Sequence, residues 1–423
     1  MHVADQGADG AAGITRSVQD LSGTLGELTE RLGPDCVLGV VVVDASPLQA
    51  IEVQHGCDAY ARVLAELEKR LTGVTATFFQ PGDLLVRSEP GRAEYALLLV
   101  RVSGSSFSGT QMASISTRLQ RGLEQQGQRI VYPFRKQCPR LRVGTGVAIR
   151  NPRLSVQTQI RTTLEEARKD AELDDRIVRR QHRQRFLGVL LDRRVQSVYE
   201  PIVSASSLTV YGYEALARGP EGTEYGSAGA LFGAAAEHGL LYELDSLCRS
   251  AALEGASAFP SGTKLFMNIR PTAIHDPRFQ PSALIRTLEK SGLGPADVVF
   301  EVSEQESIQN YDVFREARDK YGQLGFQFAL DDTGAGYASL EAAMELSPEF
   351  IKVDRAFIQG IDEDPGRQAM VRGFQQVARS VGARLIGEGL DRLEELQKLA
   401  ELGIEFGQGW LFGKATPMRA KSG

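Results

Sequence analysis

In the C-terminal half of the chain, acidic, amide and amine side chains recur near the ends of short apolar runs. Glu214 lies in YGYEALAR, Asn268 in LFMNI, and Glu301 and Glu304 in VVFEVSE. Asp331 and Asp332 follow FQFAL, Lys352 and Asp354 lie in FIKVD, Glu388 in LIGEG and Gln408 in FGQGW. One acid in such a run is most simply a paired core residue or a fraying strand end. A polar oxygen or ammonium donor on successive β elements is a different case. Clustered, poorly hydrated carboxylates repel one another, and a divalent cation relieves them. An all-oxygen donor set favours Mg²⁺, Mn²⁺ or Ca²⁺ over zinc. The residue types point to metal-dependent chemistry on a phosphorylated substrate.

The pair Asp331 and Asp332 poses a geometric problem. Adjacent residues of an extended strand point to opposite sides, so both can serve one target only if the chain bends. Gly334 and Gly336 follow and permit a bend. Taken alone, the pair reads equally well as a cap for the following helix.

The elements needed to position these groups are visible in the pattern. From about residue 198, short β-rich runs alternate with helical stretches, including 228–258, 281–291, 311–324, 339–346, 367–381 and 393–402. Repeated βα units predict a closed (β/α)8 barrel, whose active sites lie at the C-terminal ends of the strands. The first two runs, SVYEPIV and TVYGYEALA, are separated only by SASSL, too short for a crossover helix. One barrel strand is therefore expected to be antiparallel.

The chain has 423 residues, 42% hydrophobic and 24% charged, which suits two or three soluble domains. A net charge of −6 argues against non-specific binding to nucleic acid or anionic membranes. Cys36, Cys57, Cys138 and Cys248 lack metal-site spacing and read as scattered reduced thiols. No apolar run is long enough to span a bilayer, and no signal peptide is apparent, so a cytoplasmic location is expected. Residues 1–35 read as a partly disordered segment with a helix over Ile14–Leu32. Residues 36–171 read as a mixed α/β domain, 172–196 as a charged helical linker, 197–417 as the barrel and 418–423 as a tail.

In residues 36–171 the order is strand, helix, hairpin, helix, strand, helix. This order, with VVVVDASPLQAIEVQHGCDAYARVL and EYALLL, resembles the GGDEF domain of diguanylate cyclases. The signature positions read Gly91, Arg92, Ala93, Glu94 and Tyr95, and only Asp44 remains where the family has paired acids, the other being Ser46. Glu52 and Ala61 replace the family's Asn and Asp on the following helix, and the upstream RxxD element is missing. Two Mg²⁺ ions on a triphosphate need more carboxylates than this. The resemblance implies a degenerate GGDEF-like module with a regulatory role, open to a protein partner.

YGYEALAR, FMNIRP, FEVSE, ALDDTGAGYASL, FIKVD, LIGEGLD and FGQGWLFGKATP, in this order, resemble the EAL domain of cyclic di-GMP phosphodiesterases. The resemblance implies a metal-dependent hydrolase that opens cyclic di-GMP to linear pGpG, using two Mg²⁺ or Mn²⁺ ions. Carried over by position, Glu214, Asn268, Glu301 and Asp331 match metal ligands, and Asp332 matches the ligand of a second ion. Lys352 matches the lysine that holds the attacking water, Glu388 the acid proposed as base or as a group behind the metal ligands, and Gln408 a residue beside that water. Arg218 matches a phosphate-contacting arginine, and Glu200, Asp354 and Asp391 fall at substrate-contacting positions. Three residues depart from the pattern: Thr333 replaces a Phe, Asp391 a Glu and Glu200 a Gln. The family's barrels imply a homodimer formed around the DDTGAGY loop. The competing reading is a non-hydrolysing cyclic di-GMP receptor.

Overall fold

Runs of β-branched residues punctuated by helical stretches build two units, residues 1–181 and 182–423. The computed structural model describes residues 18–89, 91–102, 109–270, 273, 276–303, 311–333 and 339–418. Glu304 and the two loop glycines Gly334 and Gly336 lie outside the described residues. Among the described residues, no helix is long and apolar enough to cross a membrane.

The first unit contains β1 (Gln19–Asp20), α1 (Leu21–Arg31), β2 (Cys36–Asp44), α2 (Gln49–His55), α3 (Cys57–Thr75), β3 (Leu84–Arg87), β4 (Glu94–Val102), α4 (Gly109–Val131) and β5 (Arg142–Ile149). Helix α5 (Val156–Leu191) begins here and continues into the second unit. The sheet order is β1-β3-β4-β2-β5, with β3–β4, β4–β2 and β2–β5 antiparallel. Strand alternation sends Val41, Val43, Leu97 and Leu99 to one face, against Leu67 and Leu71 of α3 and Leu119 and Leu123 of α4. Leu38, Val40, Val42 and Leu98 face the other way, against Leu28 of α1 and Ile160, Leu164 and Ala167 of α5. Helix α5 approaches so closely that a Cβ on Gly144 would lie 2.2 Å from the Ala167 carbonyl oxygen.

The second unit contains β6 (Gln196–Ser204), β7 (Val210–Arg218), α6 (Ala228–His238), α7 (Leu241–Ala256), β8 (Lys264–Asn268), α8 (Pro281–Lys290), β9 (Val298–Ser303), α9 (Tyr311–Gly322), β10 (Gln327–Thr333), α10 (Ser339–Leu346), β11 (Phe350–Val353), α11 (Arg355–Ile358), α12 (Pro365–Val381), β12 (Arg384–Gly387), α13 (Leu393–Glu401) and β13 (Phe406–Gln408). The strands close into a barrel in the order β10-β11-β12-β13-β6-β7-β8-β9. Strand β6 is antiparallel to both neighbours, β7 and β13, as the short SASSL connection requires.

Several helices differ from the sequence expectation. The helix expected over 14–32 begins at Leu21, and residues 14–17 lie outside the described part. The last helix of the 36–171 domain and the helical linker expected over 172–196 are one, because no glycine or proline falls between Val156 and Leu187 of α5. The single helix expected over 228–258 is broken into α6 and α7 by Gly239, whose left-handed backbone (φ 68°) ends α6.

The barrel interior explains where the polar groups fall. One apolar or aromatic residue from each strand packs in a single cluster: Ile202, Tyr211, Phe266, Val299, Ala329, Phe350, Ile386 and Phe406. Side chains on a strand return to the same face every second residue. Two residues beyond this layer stand Asn268, Glu301, Asp331, Lys352, Glu388 and Gln408. On the reversed β6 the count runs backwards, from Ile202 to Glu200. Strand β7 has a register irregularity beside Val210, after which Gly212 and Glu214 continue the same alternation. The polar positions are thus the next layer of the barrel.

Strand β10 solves the problem of adjacent aspartates by a β-bulge. Leu330 pairs with Ile351 but Thr333 pairs with Val353, so β10 carries one extra residue there. Asp332 absorbs the bend with a left-handed backbone, φ 57°. Aspartate tolerates that region better than branched residues do. Asp332→Val is therefore expected to be less stable than Asp332→Gly by about 1 kcal/mol. Urea unfolding of the two variants without divalent cations checks this, because both lack the carboxylate and differ chiefly in backbone preference.

Candidate active site

Lys352 occupies the centre of the polar layer. It is 1% exposed, and its Nζ lies 3.0 Å from Glu214 Oε2, 2.9 Å from Glu301 Oε1, 3.0 Å from Asp331 Oδ1 and 2.7 Å from Glu388 Oε1. Gln408 donates from Nε2 to Glu214 Oε2 at 2.6 Å and to Glu200 Oε2 at 3.0 Å. Asn268 donates from Nδ2 to Glu301 Oε2 at 3.2 Å. The closed barrel thus joins residues far apart in sequence, including β13 to the reversed β6.

The charges do not balance. Burial alone would push the lysine down, yet Asp331, Glu214, Glu301 and Glu388 hold it well above its usual range. One ammonium cannot satisfy four carboxylates. Burial pushes the Glu301 carboxyl well up, and the nearby Glu214 and Asp331 charges add to this against the pull of Lys352. Burial likewise pushes Glu388 up to about 8, with Lys352 opposing and Asp331 and Glu214 reinforcing. Asp332, exposed at the rim, is raised by partial desolvation of its carboxyl and by Asp331. Glu200 is raised by burial, with its bond from Gln408 opposing.

This donor set fits hard divalent cations. Glu214, Glu301 and Asp331 offer oxygens within 4.8 Å of one another, and Asp331, Asp332 and Glu388 do the same. Glu301 Oε1 and Asp331 Oδ1 are buried, and among the described residues only the shared Lys352 ammonium, at 2.9 and 3.0 Å, faces them. Oxygens of this kind gain most from a cation placed among them.

Other sequence candidates stand apart from this ring. Arg218, half-buried at the end of β7, donates to the Ala217 carbonyl at 2.8 Å. Asp354 caps α11 by accepting from the Ala356 N–H at 2.7 Å. Asp391 is exposed and accepts from Gln359 Nε2 at 2.8 Å. In the first unit, Asp44 accepts from the Ser46 N–H and pairs with Arg142, and the buried Glu94 is held by Arg168 at 2.8 Å. The two acids left in the GGDEF-like pattern therefore have partners within their own unit.

Two supporting groups were not recognised in the sequence. Glu395 is buried and accepts from the N–H groups of Gly360, Asp391 and Arg392 at 2.8, 3.0 and 3.1 Å. It fixes the turn that follows Glu388 and Asp391. Its place at the third position of α13 is a capping-box spacing that the sequence does display. Asp276 is 1% exposed and accepts from Arg249 Nη2 at 2.8 Å, and Arg249 also pairs with Asp245, anchoring the chain beyond Asn268. No local spacing announces that pair, because it forms between α7 and the loop after β8.

Removing Lys352 leaves several buried carboxylates without a counter-ion. Lys352→Met is expected to lose about 3–5 kcal/mol at pH 8 without divalent cations, a deficit that shrinks at pH 6 as carboxyls protonate. The metal-free wild type shows the same sign. The folded Glu388 carboxyl titrates at about 8, above its unfolded value, so its stabilising contribution is lost as pH rises through that range. Chemical unfolding at pH 6 and pH 9 in the presence of a chelator measures both effects, and a flat profile in both proteins would contradict the charge assignment.

Comparison with known proteins gives the family. Residues 157–415 match the family model for the EAL domain. The chain is similar to the uncharacterized protein y4lL of Sinorhizobium fredii, 25% identical over 405 residues, covering 92% of this chain and 47% of that protein. It is 28% identical over 185 residues to the cyclic di-GMP phosphodiesterase PdeA of Borreliella burgdorferi, covering 43% of this chain and 28% of that protein. It spans less than half the length of these two relatives. The FimX EAL domain of Xanthomonas citri, solved in complex with c-diGMP, shares the fold at TM-score 0.52 and 20% identity, covering 60% of this chain and 100% of that one. The reversed strand, the closed barrel and the polar layer all fall within the matched stretch, and the chain belongs to the EAL domain family.

Proposed function

We propose that this chain hydrolyses one phosphodiester bond of cyclic di-GMP to give linear pGpG, with two Mg²⁺ or Mn²⁺ ions held at the barrel mouth. The observation that carries this reading is the pair of oxygen sets that share Asp331. Glu214, Asn268, Glu301 and Asp331 would hold one ion, and Asp331, Asp332 and Glu388 would surround the other. Bound there, the ions supply a water of lowered pKa and stabilise charge on the leaving oxygen.

The protein groups have distinct tasks. The Lys352 ammonium restrains the carboxylates and holds a water by hydrogen bonding. Glu388 Oε1, 2.7 Å from that ammonium, is the carboxyl placed beside the held water to act as its base. Gln408 orients Glu214, and its buried Oε1, which has no hydrogen-bond partner among the described residues, can accept from water. Arg218 offers a guanidinium fork to a substrate phosphate. Asp354 and Asp391 serve as outer substrate contacts in this reading, and Glu200 sets a carboxyl beside the substrate where a neutral amide would repel phosphate less.

The first unit, short of the acids that a diguanylate cyclase site needs, acts as a regulatory module and a docking point for a protein partner. The barrel pairs with a second copy around the loop after β10, and the protein works in the cytoplasm. These assignments rest on the resemblance of the two patterns to their families.

Incubation of the purified chain with cyclic di-GMP and Mn²⁺, followed by chromatography, is expected to yield pGpG, and a chelator is expected to abolish it. Glu214→Ala and Glu301→Gln are each expected to lower turnover by at least about 10²-fold. Full activity in either variant would refute the ligand assignment. Tight binding of cyclic di-GMP by the wild type without any pGpG would instead establish the receptor reading. Glu200→Gln is expected to lower KM for cyclic di-GMP with little change in kcat, read from initial rates.

A further inference from the structure

A second cluster of metal-ligating side chains lies away from the barrel mouth. His182 stands on the part of α5 that belongs to the second unit, and His238 is the last residue of α6. Their ring nitrogens, His182 Nδ1 and His238 Nε2, are 2.9 Å apart. Glu237 Oε2 lies 4.0 Å from the same His182 nitrogen. The three ligand atoms fall within 4.8 Å of one another. Ligands about 2.0–2.1 Å from a tetrahedral zinc ion are separated by about 3.3 Å, and the separations of 2.9 and 4.0 Å bracket that value. Two imidazole nitrogens that face each other can share only one proton, and a cation can take its place.

The surroundings are those of an organised ligand set. The other His182 nitrogen, Nε2, faces Glu224 Oε2 at 3.7 Å. Glu224 is itself held by Arg185 Nε at 2.9 Å. At that distance the carboxylate makes no hydrogen bond to the ring, and its negative charge behind a ligating histidine favours a cation on the other side. Tyr225 packs on the His182 ring at a centroid distance of 5.5 Å and donates from its hydroxyl to the His182 carbonyl at 3.2 Å. The fully buried Phe186 ring lies 6.1 Å from the His238 ring and closes the apolar side. The site also sits at the C-terminal end of α6, where the helix dipole favours a cation.

We propose that His182, His238 and Glu237 form a site for a borderline transition-metal cation of the zinc class, distinct in chemistry from the all-oxygen set of the barrel. Two imidazoles and one carboxylate select zinc-like ions over Mg²⁺. Occupancy fastens the end of α5 to the end of α6, the helix that follows the strand bearing Glu214 and Arg218. No step of the hydrolytic reading depends on it.

The test uses the full chain, stripped with chelator and held in excess Mg²⁺ to occupy the oxygen set. Zn²⁺ is titrated by calorimetry and Co²⁺ by visible absorption, in the wild type, Glu301→Gln, His182→Gln and His238→Gln. The expected result is one Zn²⁺ equivalent and a four-coordinate Co²⁺ spectrum in the wild type and in Glu301→Gln. Each histidine variant is expected to bind at least about tenfold more weakly, with its far-UV circular dichroism unchanged. Two further variants, Glu237→Gln and Glu224→Gln, separate a ligand from the carboxylate behind it: the first weakens binding more. Equal Zn²⁺ binding in wild type and both histidine variants, loss of the equivalent in Glu301→Gln alone, or a thiolate-type Co²⁺ spectrum would each overturn the proposal.

Discussion

A single buried ammonium among four carboxylates sets the terms for the barrel. Lys352 lies within 3.0 Å of oxygens on Glu214, Glu301, Asp331 and Glu388. It neutralises part of their charge and leaves the rest to protons or cations. Burial, with the neighbouring Glu214 and Asp331 charges, raises the pKa of Glu301. A barrel core evolved for stability alone would fill this layer with apolar side chains, as the layer below it does. The polar layer is a cost that makes physical sense where cations and a phosphate ester meet.

The backbone makes that layer possible by two departures from regular geometry. The reversal of β6 brings Glu200 alongside β13, so that Gln408 can bridge it to Glu214. The bulge in β10 turns two consecutive aspartates toward the same region, at the cost of a left-handed Asp332. Strand β7 places Glu214 through the register irregularity beside Val210, and on β8, β9, β11, β12 and β13 strict alternation suffices, each site residue standing two positions from an apolar partner. The first unit spends its acids differently, on Arg142 and Arg168.

Much of this was legible in the chain, for identifiable reasons. The barrel followed from βα alternation, and its reversed strand from a connection too short to cross over. The ring of Glu214, Asn268, Glu301, Asp331, Lys352, Glu388 and Gln408 followed from acids and amides at strand ends. The signal that fixes their common depth, an apolar residue two positions away, is displayed by the sequence on every strand of the ring but β7. Asp332 could not be resolved, because a bulge is a matter of pairing register between strands. Gly239 was read through as helix interior, although a glycine there can equally end one. Arg249 and Asp276 were invisible, since only the tertiary fold brings them together.

The most direct test of the central claim is a Mn²⁺ anomalous difference map from crystals of the full chain. Peaks are expected in the barrel mouth, one beside Glu214, Glu301 and Asp331 and one beside Asp331, Asp332 and Glu388, with Lys352 still in place. A mouth without anomalous density at saturating Mn²⁺, with Lys352 alone satisfying the carboxylates, would contradict it.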